Sequence, residues 1–369
     1  MKNAIYLLAI ACLGVTLLTS CSNSVESSGD KSAVSITDTQ NEMASFLIPL
    51  TEQQQQLRML NSKYSVLDNS VALKNPVESG RLLYVKETNT TFWTDSKYLY
   101  QKTDNECFAI AEGIIYSLNL LNGKLYFICS DKSATVQPMR GTPYMLDLTT
   151  GELTLLSDKT TSNIYIQQER IFLKQWESYI DENGKTRGRY LYCQCNPDGT
   201  AAVLCDDIIL CTNGDWYVTC EKEESVYNIY YRNDKENIKK AIAVESSLPK
   251  MASIYGEYFY FVEGSWGDIF KIVSLDSGET VVCDTKRQYI NDYIIVDSIP
   301  ALLTDMSFGI VNENMVFDGA YITYDDNRVK NYYSVYLYNN DIVITTQGGY
   351  QLLTKRNDEN YFSSPYSLA

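Results

Sequence analysis

The sequence predicts an all-β protein: a β-propeller of four-stranded antiparallel blades, six in number, with room for a seventh in one long gap. Three observations predict it. A turn-like residue followed by an aromatic, aliphatic run recurs at Gly80, Gly123, Glu169, Gly214, Gly256 and Gly319, with spacings of 43, 46, 45, 42 and 63 residues. Short apolar runs and tight turns then divide each unit into four strand-length pieces, the pattern of a blade of about 40 to 45 residues. Tyrosine is abundant, 30 among 369 residues, and aromatic side chains suit strands packed on both faces between neighbouring sheets. A two-sheet sandwich would not ask for six similar units.

At the start, Met1-Lys2-Asn3 precedes a near-continuous apolar run from Ala4 to Thr19. That run falls short of the roughly 20 residues a membrane helix needs, so residues 1–20 read as an export signal. Leu18-Thr19-Ser20-Cys21 resembles the bacterial lipoprotein signal, which implies that Cys21 is diacylated and becomes the first residue of the mature chain. Two acyl chains suffice for a stable hold on a membrane. Residues 21–44 contain Ser, Thr, Asp, Asn and Gln but no aromatic residue, and such a segment cannot repay its ordering entropy. They form a disordered tether, and the folded domain is expected over 45–369, its repeats over about 80–349.

Within that domain TEQQQQLRML reads as a short helix and SKYSVLD as a strand. In the first unit RLLYV is taken as the second strand, KYLYQK as the third and CFAIA as the fourth. The long gap before Gly319 holds YINDYIIVDSIPALLTDMSFGI, either an inserted hairpin or a degenerate seventh blade. Residues 46–79 or 350–362 are expected to close the ring by pairing one chain end into the blade at the other, which would remove an exposed edge.

Composition narrows the function. The chain carries 31 basic and 46 acidic residues and no histidine. Strong acidity argues against nucleic acid, whose binding depends on neutralising phosphates, and against an electrostatic hold on an anionic membrane. Without histidine there is no Ser-His-Asp or Cys-His arrangement and no histidine-ligated metal. No cofactor and no metal are expected. Cys12 leaves with the signal and Cys21 is lipidated; the remaining eight cysteines sit mostly in apolar strand-like runs, where a thiol behaves as a small hydrophobe. Buried free thiols are favoured over disulfides, which an exported chain would permit.

Strand alternation sorts the connections onto two faces. The turns between third and fourth strands are tight, whereas those between second and third strands are long and varied, and they carry the candidate ligand-binding residues Trp93, Trp176, Tyr179 and Trp266. Exposed aromatics interspersed with Asp, Glu, Asn and Arg suit stacking on sugars or gripping peptides. Weaker motifs are Ser274–Thr280, which looks like the Asp-box turn of sialidases, and the acidic loops Asp181-Glu182-Asn183-Gly184 and Asp325-Asp326-Asn327, which read as solvated turns rather than calcium loops.

Region 80–349, with hairpins such as Tyr144-Met145-Leu146-Asp147 through Gly151 and Asn196-Pro197-Asp198-Gly199, resembles the tyrosine-rich propeller repeats of Gram-positive, gut-associated lipoproteins, a group of undefined function. These are distantly similar to YWTD propellers; Phe92-Trp93-Thr94-Asp95 is the nearest approach to that motif here. The resemblance implies the fold and transfers no catalytic residue. The expected function is a membrane-anchored, extracytoplasmic binding module for a glycan or partner protein. The alternatives are a carbohydrate-active enzyme using acids at the central mouth and a docking subunit of an envelope complex.

Overall fold

The computed structural model describes residues 46–67, 82–95, 97–130, 140–167, 169–214, 216–264, 267–323, 332–338, 341–346, 349–357 and 360–365. The signal, the tether and Cys21 lie outside them, as do Trp266 and Asp325-Asp326-Asn327.

The chain enters through helix α1 (Glu52–Met59), which Thr51 and Gln54 close with a capping box, and strand β1 (Val66–Leu67). Seven four-stranded antiparallel meanders follow. Blade 1 is β2 (Leu82–Val85), β3 (Thr90–Thr94), β4 (Tyr98–Lys102) and β5 (Cys107–Glu112). Blade 2 is β6 (Ile114–Leu121), β7 (Lys124–Ser130), β8 (Thr142–Asp147) and β9 (Leu153–Leu155). Blade 3 is β10 (Thr161–Gln167), β11 (Arg170–Ile180), β12 (Thr186–Cys195) and β13 (Val203–Cys205). Blade 4 is β14 (Ile208–Asn213), β15 (Trp216–Glu223), β16 (Val226–Asn233) and β17 (Ile238–Glu245). Blade 5 is β18 (Lys250–Tyr255), β19 (Tyr258–Glu263), β20 (Ile269–Ser274) and β21 (Thr280–Cys283). Blade 6 is β22 (Ile290–Val296), β23 (Ile299–Thr304), β24 (Ser307–Val311) and β25 (Phe317–Thr323). Blade 7 is β26 (Tyr332–Tyr338), β27 (Asp341–Thr346), β28 (Gly349–Asn357) and β29 (Asn360–Pro365).

The propeller therefore has seven blades, and the long gap is the sixth of them. Its first hairpin turns on Asp297 and Ser298, with φ of 50° and 68°, the two positive φ values of a type I′ connection made here without glycine. That is why a search keyed on glycine and aromatics passes over it. The unit built on Gly319 straddles two blades: AYIT ends blade 6, and the YSVYLY run opens blade 7. In blade 1 the assignment moves by one strand. LLYV is the first strand, and TTFWT, expected as part of a loop, is the second.

Seven hydrophobic clusters fill the joints, one between each pair of neighbouring blades. Phe92 and Leu99 meet Leu118 and Phe127 between blades 1 and 2, and Tyr126 and Met145 meet Ile164 and Leu173 between 2 and 3. Phe172 and Tyr192 meet Ile209 and Tyr217 between 3 and 4, and Val218 meets Phe259 and Phe261 between 4 and 5. Phe270 meets Tyr293 and Phe317 between 5 and 6, and Leu303 and Phe308 meet Ile344 and Leu353 between 6 and 7. Each fully buried phenylalanine adds about 1.5–3 kcal/mol of transfer free energy.

The last joint closes the ring differently from expectation. Among the described residues no strand from one chain end completes the blade at the other: β1 pairs with β6 of blade 2, and 349–365 supplies the outer two strands of blade 7. Among the described residues closure is made by side chains, Leu82 and Trp93 of blade 1 against Tyr338 and Val343 of blade 7, with Thr91 donating to the Tyr338 hydroxyl at 3.1 Å. Blades 6 and 7 are also joined edge to edge, β25 running parallel to β29. All eight described cysteines are free, as the apolar settings of their strands favour.

Candidate functional site

The sixth residue of the second strand is polar in four successive blades, Gln175, Glu221, Glu263 and Thr304; three are buried and Glu221 is half-buried. All four tie back to the connection that leads into their own blade, Glu263 by accepting from Ser247 Oγ at 3.2 Å. Gln175 donates to Ser157 Oγ at 2.9 Å, and Thr304 donates to Gln288 Oε1 at 2.9 Å. In blade 4 the Glu221 and Asp207 carboxyls share a hydrogen bond; burial raises Asp207, while the bond from Lys239 lowers Glu221. In blade 5 Glu263 meets Glu245, the last residue of blade 4, with Lys271 Nζ at 2.7 and 2.5 Å from the two. Burial raises Glu245; in Glu263 the same burial is outweighed by Lys271, and its pKa is lowered. Arg232 bridges Asp207 and Glu221 at 2.6 and 3.0 Å. These clusters of acids and cations are thus members of one repeated tie between blades.

Past that position most second strands end within two residues, but β11 continues through Trp176, Glu177, Ser178, Tyr179 and Ile180 and returns as β12. The hairpin stands beyond the blade at the end where second and third strands connect. Its tip is locked by Asp181, which accepts from the Asn183 and Lys185 amides at 3.0 and 2.9 Å and pairs with Arg187. The amide of Lys185, with Arg187, draws the Asp181 carboxyl below its ordinary range. The DENG loop is therefore a self-satisfied turn. Ser274–Thr280 is likewise a hairpin turn, with Gly278 N on Ser274 O at 2.8 Å.

The two faces of the hairpin differ in chemistry, because alternate residues point to opposite sides. On one, Glu177 pairs with Arg189 at 2.7 Å, and the Arg189 guanidinium lies 5.2 Å from the centre of the exposed Tyr179 ring. On the other are Lys174, Trp176 and Tyr190. Trp176 and Tyr190 are directly paired across the strands, ring centres 5.0 Å apart and edge to face. Gly188 makes room for the indole: a β-carbon there would lie 1.8 Å from Trp176 Cζ2. Onto the indole comes Arg140, from the start of β8 in blade 2, held there by the pairing of Gly141 with Thr161. Its guanidinium is 3.4 Å from the indole centre and 5.8 Å from that of Tyr190. Lys174 Nζ is 4.6 Å from the Tyr190 centre.

This face is cationic and unneutralised. Among the described residues neither Arg140 nor Lys174 forms an ion pair, and Arg140 Nε is buried without a hydrogen-bond partner. Lys174 is half-buried as a residue, but its ammonium is densely surrounded by protein, and this desolvation lowers its pKa to about 8. A planar guanidinium fixed on an aromatic face and held in no ion pair has its terminal N–H groups, rather than the buried Nε, to offer a carboxylate or phosphate.

Of the four predicted site residues, the structure brings Trp176 and Tyr179 onto one hairpin but on opposite faces. Trp93 is buried in β3, stacked on Tyr100 at 4.2 Å, and forms part of the ring closure rather than a loop. Trp266 lies outside the described residues. Arg140, Lys174 and Tyr190 were not singled out from sequence. One signal pointed to them: a glycine inside the strand-like TRGRY run, which marks a close approach by another group.

A second concavity, of about 860 Å³, lies between blades 5 and 6 at the opposite end of the sheets. Among the described residues no group of His, Cys, Asp and Glu is placed to hold a metal ion.

No family model matches the chain, and no curated protein matches it. Solved structures are similar to it in chain path. The nidogen/laminin complex is 12% identical, covering 63% of this chain and 89% of that one at a TM-score of 0.40. Kluyveromyces lactis Hsv2p is 10% identical, covering 77% and 96% at 0.48. The complex of KlAtg21 with the coiled coil of AgAtg16 is 11% identical, covering 80% and 98% at 0.49. Likeness this distant transfers no ligand. The propeller assignment stands on the seven meanders and seven joints of the chain itself.

Proposed function

We propose that this chain is a lipid-anchored, extracytoplasmic binding module whose β11–β12 hairpin recognises an acidic glycan. One observation carries the reading: the Arg140 guanidinium rests on Trp176 without a hydrogen-bond partner, beside a desolvated Lys174, in a chain whose net charge is −15. An overall acidic protein that keeps two cations unpaired on an aromatic floor has built a local site for negative charge. Because Arg140 covers one face of the indole and the Gly188 backbone packs close to the ring, Trp176 acts as the platform of the cation; on this face of the hairpin a sugar ring is left the edge of Tyr190, since Tyr179 points to the other side. The signal over 1–20 and acylation of Cys21 place the module on the outer face of the membrane, with 21–44 as its tether.

Isothermal titration of the mature chain with uronate-containing oligosaccharides, against their neutral counterparts, tests this. Binding of the acidic series is expected to fall at least about tenfold in Arg140→Met, a loss of about 1.4 kcal/mol, and similarly in Trp176→Ala and Gly188→Val. Equal affinity for acidic and neutral series, or an unaffected Arg140→Met, would sink the reading.

A further inference from the structure

The cleft between blades 5 and 6 lies at the end of the sheets away from the hairpin, and its walls come from two sheet faces that diverge outward. One wall is blade 5, in two cross-strand rows: Tyr258 beside Ser274, and Tyr260, Ile272 and Val281 in register across β19, β20 and β21. The facing wall is Ile299, Pro300, Ile310, Val311 and Met315 of blade 6. Deeper in, the same gap is filled by Phe270, Tyr293 and Phe317. Toward the outside the filling stops, because Ser274, Ser277 and Ser298 stand where larger side chains would close the wedge.

The result leaves large apolar side chains in water. Tyr258, Ile299 and Ile310 are 45%, 44% and 48% exposed, although all three line one concavity. Isolated exposed apolar residues are ordinary; a contiguous concave group marks an interaction site. The charged residues in the lining are Glu279 and Glu313, both exposed and neither in an ion pair among the described residues, and no lysine or arginine lines the cleft. Asp284, directly after β21, bridges in parallel to Val316 of blade 6, while the outer edge of β21 itself, which contributes Val281, pairs with no strand among the described residues.

We infer that this cleft docks an extended segment of a partner protein that presents alternating apolar side chains flanked by lysine or arginine. The apolar walls take the alternating side chains, the free edge of β21 supplies main-chain hydrogen bonds as in strand addition, and Glu279 and Glu313 select for positive flanks. Other occupants fit less well. An anionic membrane surface would meet two carboxylates at the mouth. A second copy placed by two-fold symmetry would set Glu279 and Glu313 against their own equivalents. The inference goes beyond glycan recognition and does not depend on it, since the two sites share no residue and lie at opposite ends of the sheets.

The test is fluorescence polarisation of the full chain with a labelled peptide alternating valine and lysine, about nine residues long, and its counterpart alternating valine and glutamate. The basic peptide is expected to bind at least about tenfold tighter. Ile299→Asp and Ile310→Asp, exposed positions that leave the core intact, abolish binding, and Glu279→Lys with Glu313→Lys reverses the preference between the peptides. Arg140→Met leaves peptide binding unchanged. Binding of neither peptide, equal binding of both, or insensitivity to Ile299→Asp would overturn the proposal. So would capture by phosphatidylglycerol vesicles, or self-association in sedimentation, that Ile310→Asp removes while peptide binding persists unaltered.

Discussion

Replacing Lys271 with methionine probes the buried tie between blades 4 and 5. The ammonium sits 2.5 Å from Glu245 and 2.7 Å from Glu263, with the three side chains 15%, 6% and 7% exposed. At an effective dielectric constant of about 20, each contact is an attraction of roughly 6 kcal/mol, most of it offset by the desolvation of three charges. Methionine keeps the aliphatic bulk but leaves two carboxylates facing each other out of water. Breaking such a buried arrangement costs about 3–5 kcal/mol, or a fall in Tm of roughly 6–10 °C in a chain of this size. The loss depends on pH, and its sign follows from the two carboxyls. Glu263 has a lowered pKa in the native protein, so its contribution is present above the unfolded value of about 4.5 and is lost as pH falls through its lower folded value. Without Lys271, burial and mutual repulsion carry both carboxyls upward. The folded variant then holds protons more tightly than the unfolded chain and recovers stability as pH falls toward about 4.5. Urea titrations of both proteins at about pH 7.5 and 5, followed by tryptophan fluorescence, therefore show a gap that narrows on acidification. A loss below about 1 kcal/mol, or one equal at both pH values, refutes this account of the tie.

Two further outcomes follow from the packing. Tyr338→Ala removes the aromatic that closes blade 7 onto blade 1 and is expected to cost about 3–5 kcal/mol, whereas Tyr338→Phe keeps the ring and loses the hydroxyl that accepts from Thr91, about 0.5–1.5 kcal/mol; similar costs for both in chemical denaturation would place closure elsewhere. The described cysteines are free, and burial pushes the Cys195, Cys220 and Cys283 thiols up to about 12 and Cys205 to about 11. A thiol reagent at about pH 8 should therefore label these four slowly in the native chain and rapidly in urea, and a reductant should leave Tm unchanged; a Tm that drops on reduction contradicts free thiols.

Most strands could be read directly, because alternation and short apolar runs are local properties. The strands of blades 2 to 5 lie where the Gly-plus-aromatic runs put them, and TEQQQQLRML supplies helix α1. Blade 6 was harder to see, since IPALLT and SFGIV are aliphatic and their turn uses Asp297 and Ser298 in place of glycine. TTFWT was misread for a related reason: its hairpin turns through Asn89, at φ 47°, and its threonines resemble loop composition. Of the candidate site, Trp176 and Tyr179 were legible as aromatics near a chain reversal. Their separation onto opposite faces depends on register, which shifts every side chain when it slips by one residue.

Taken alone, the amino-acid order determined that this chain forms repeated short strands with bulk on both faces and lacks every histidine-based chemistry. Those properties are encoded within a few residues of one another. Only the tertiary structure decided the blade count, the closure by Tyr338, and the seating of Arg140 from blade 2 on Trp176 from blade 3. Such contacts arise from how seven sheets pack around a ring, and no local periodicity specifies which side chains meet across a joint.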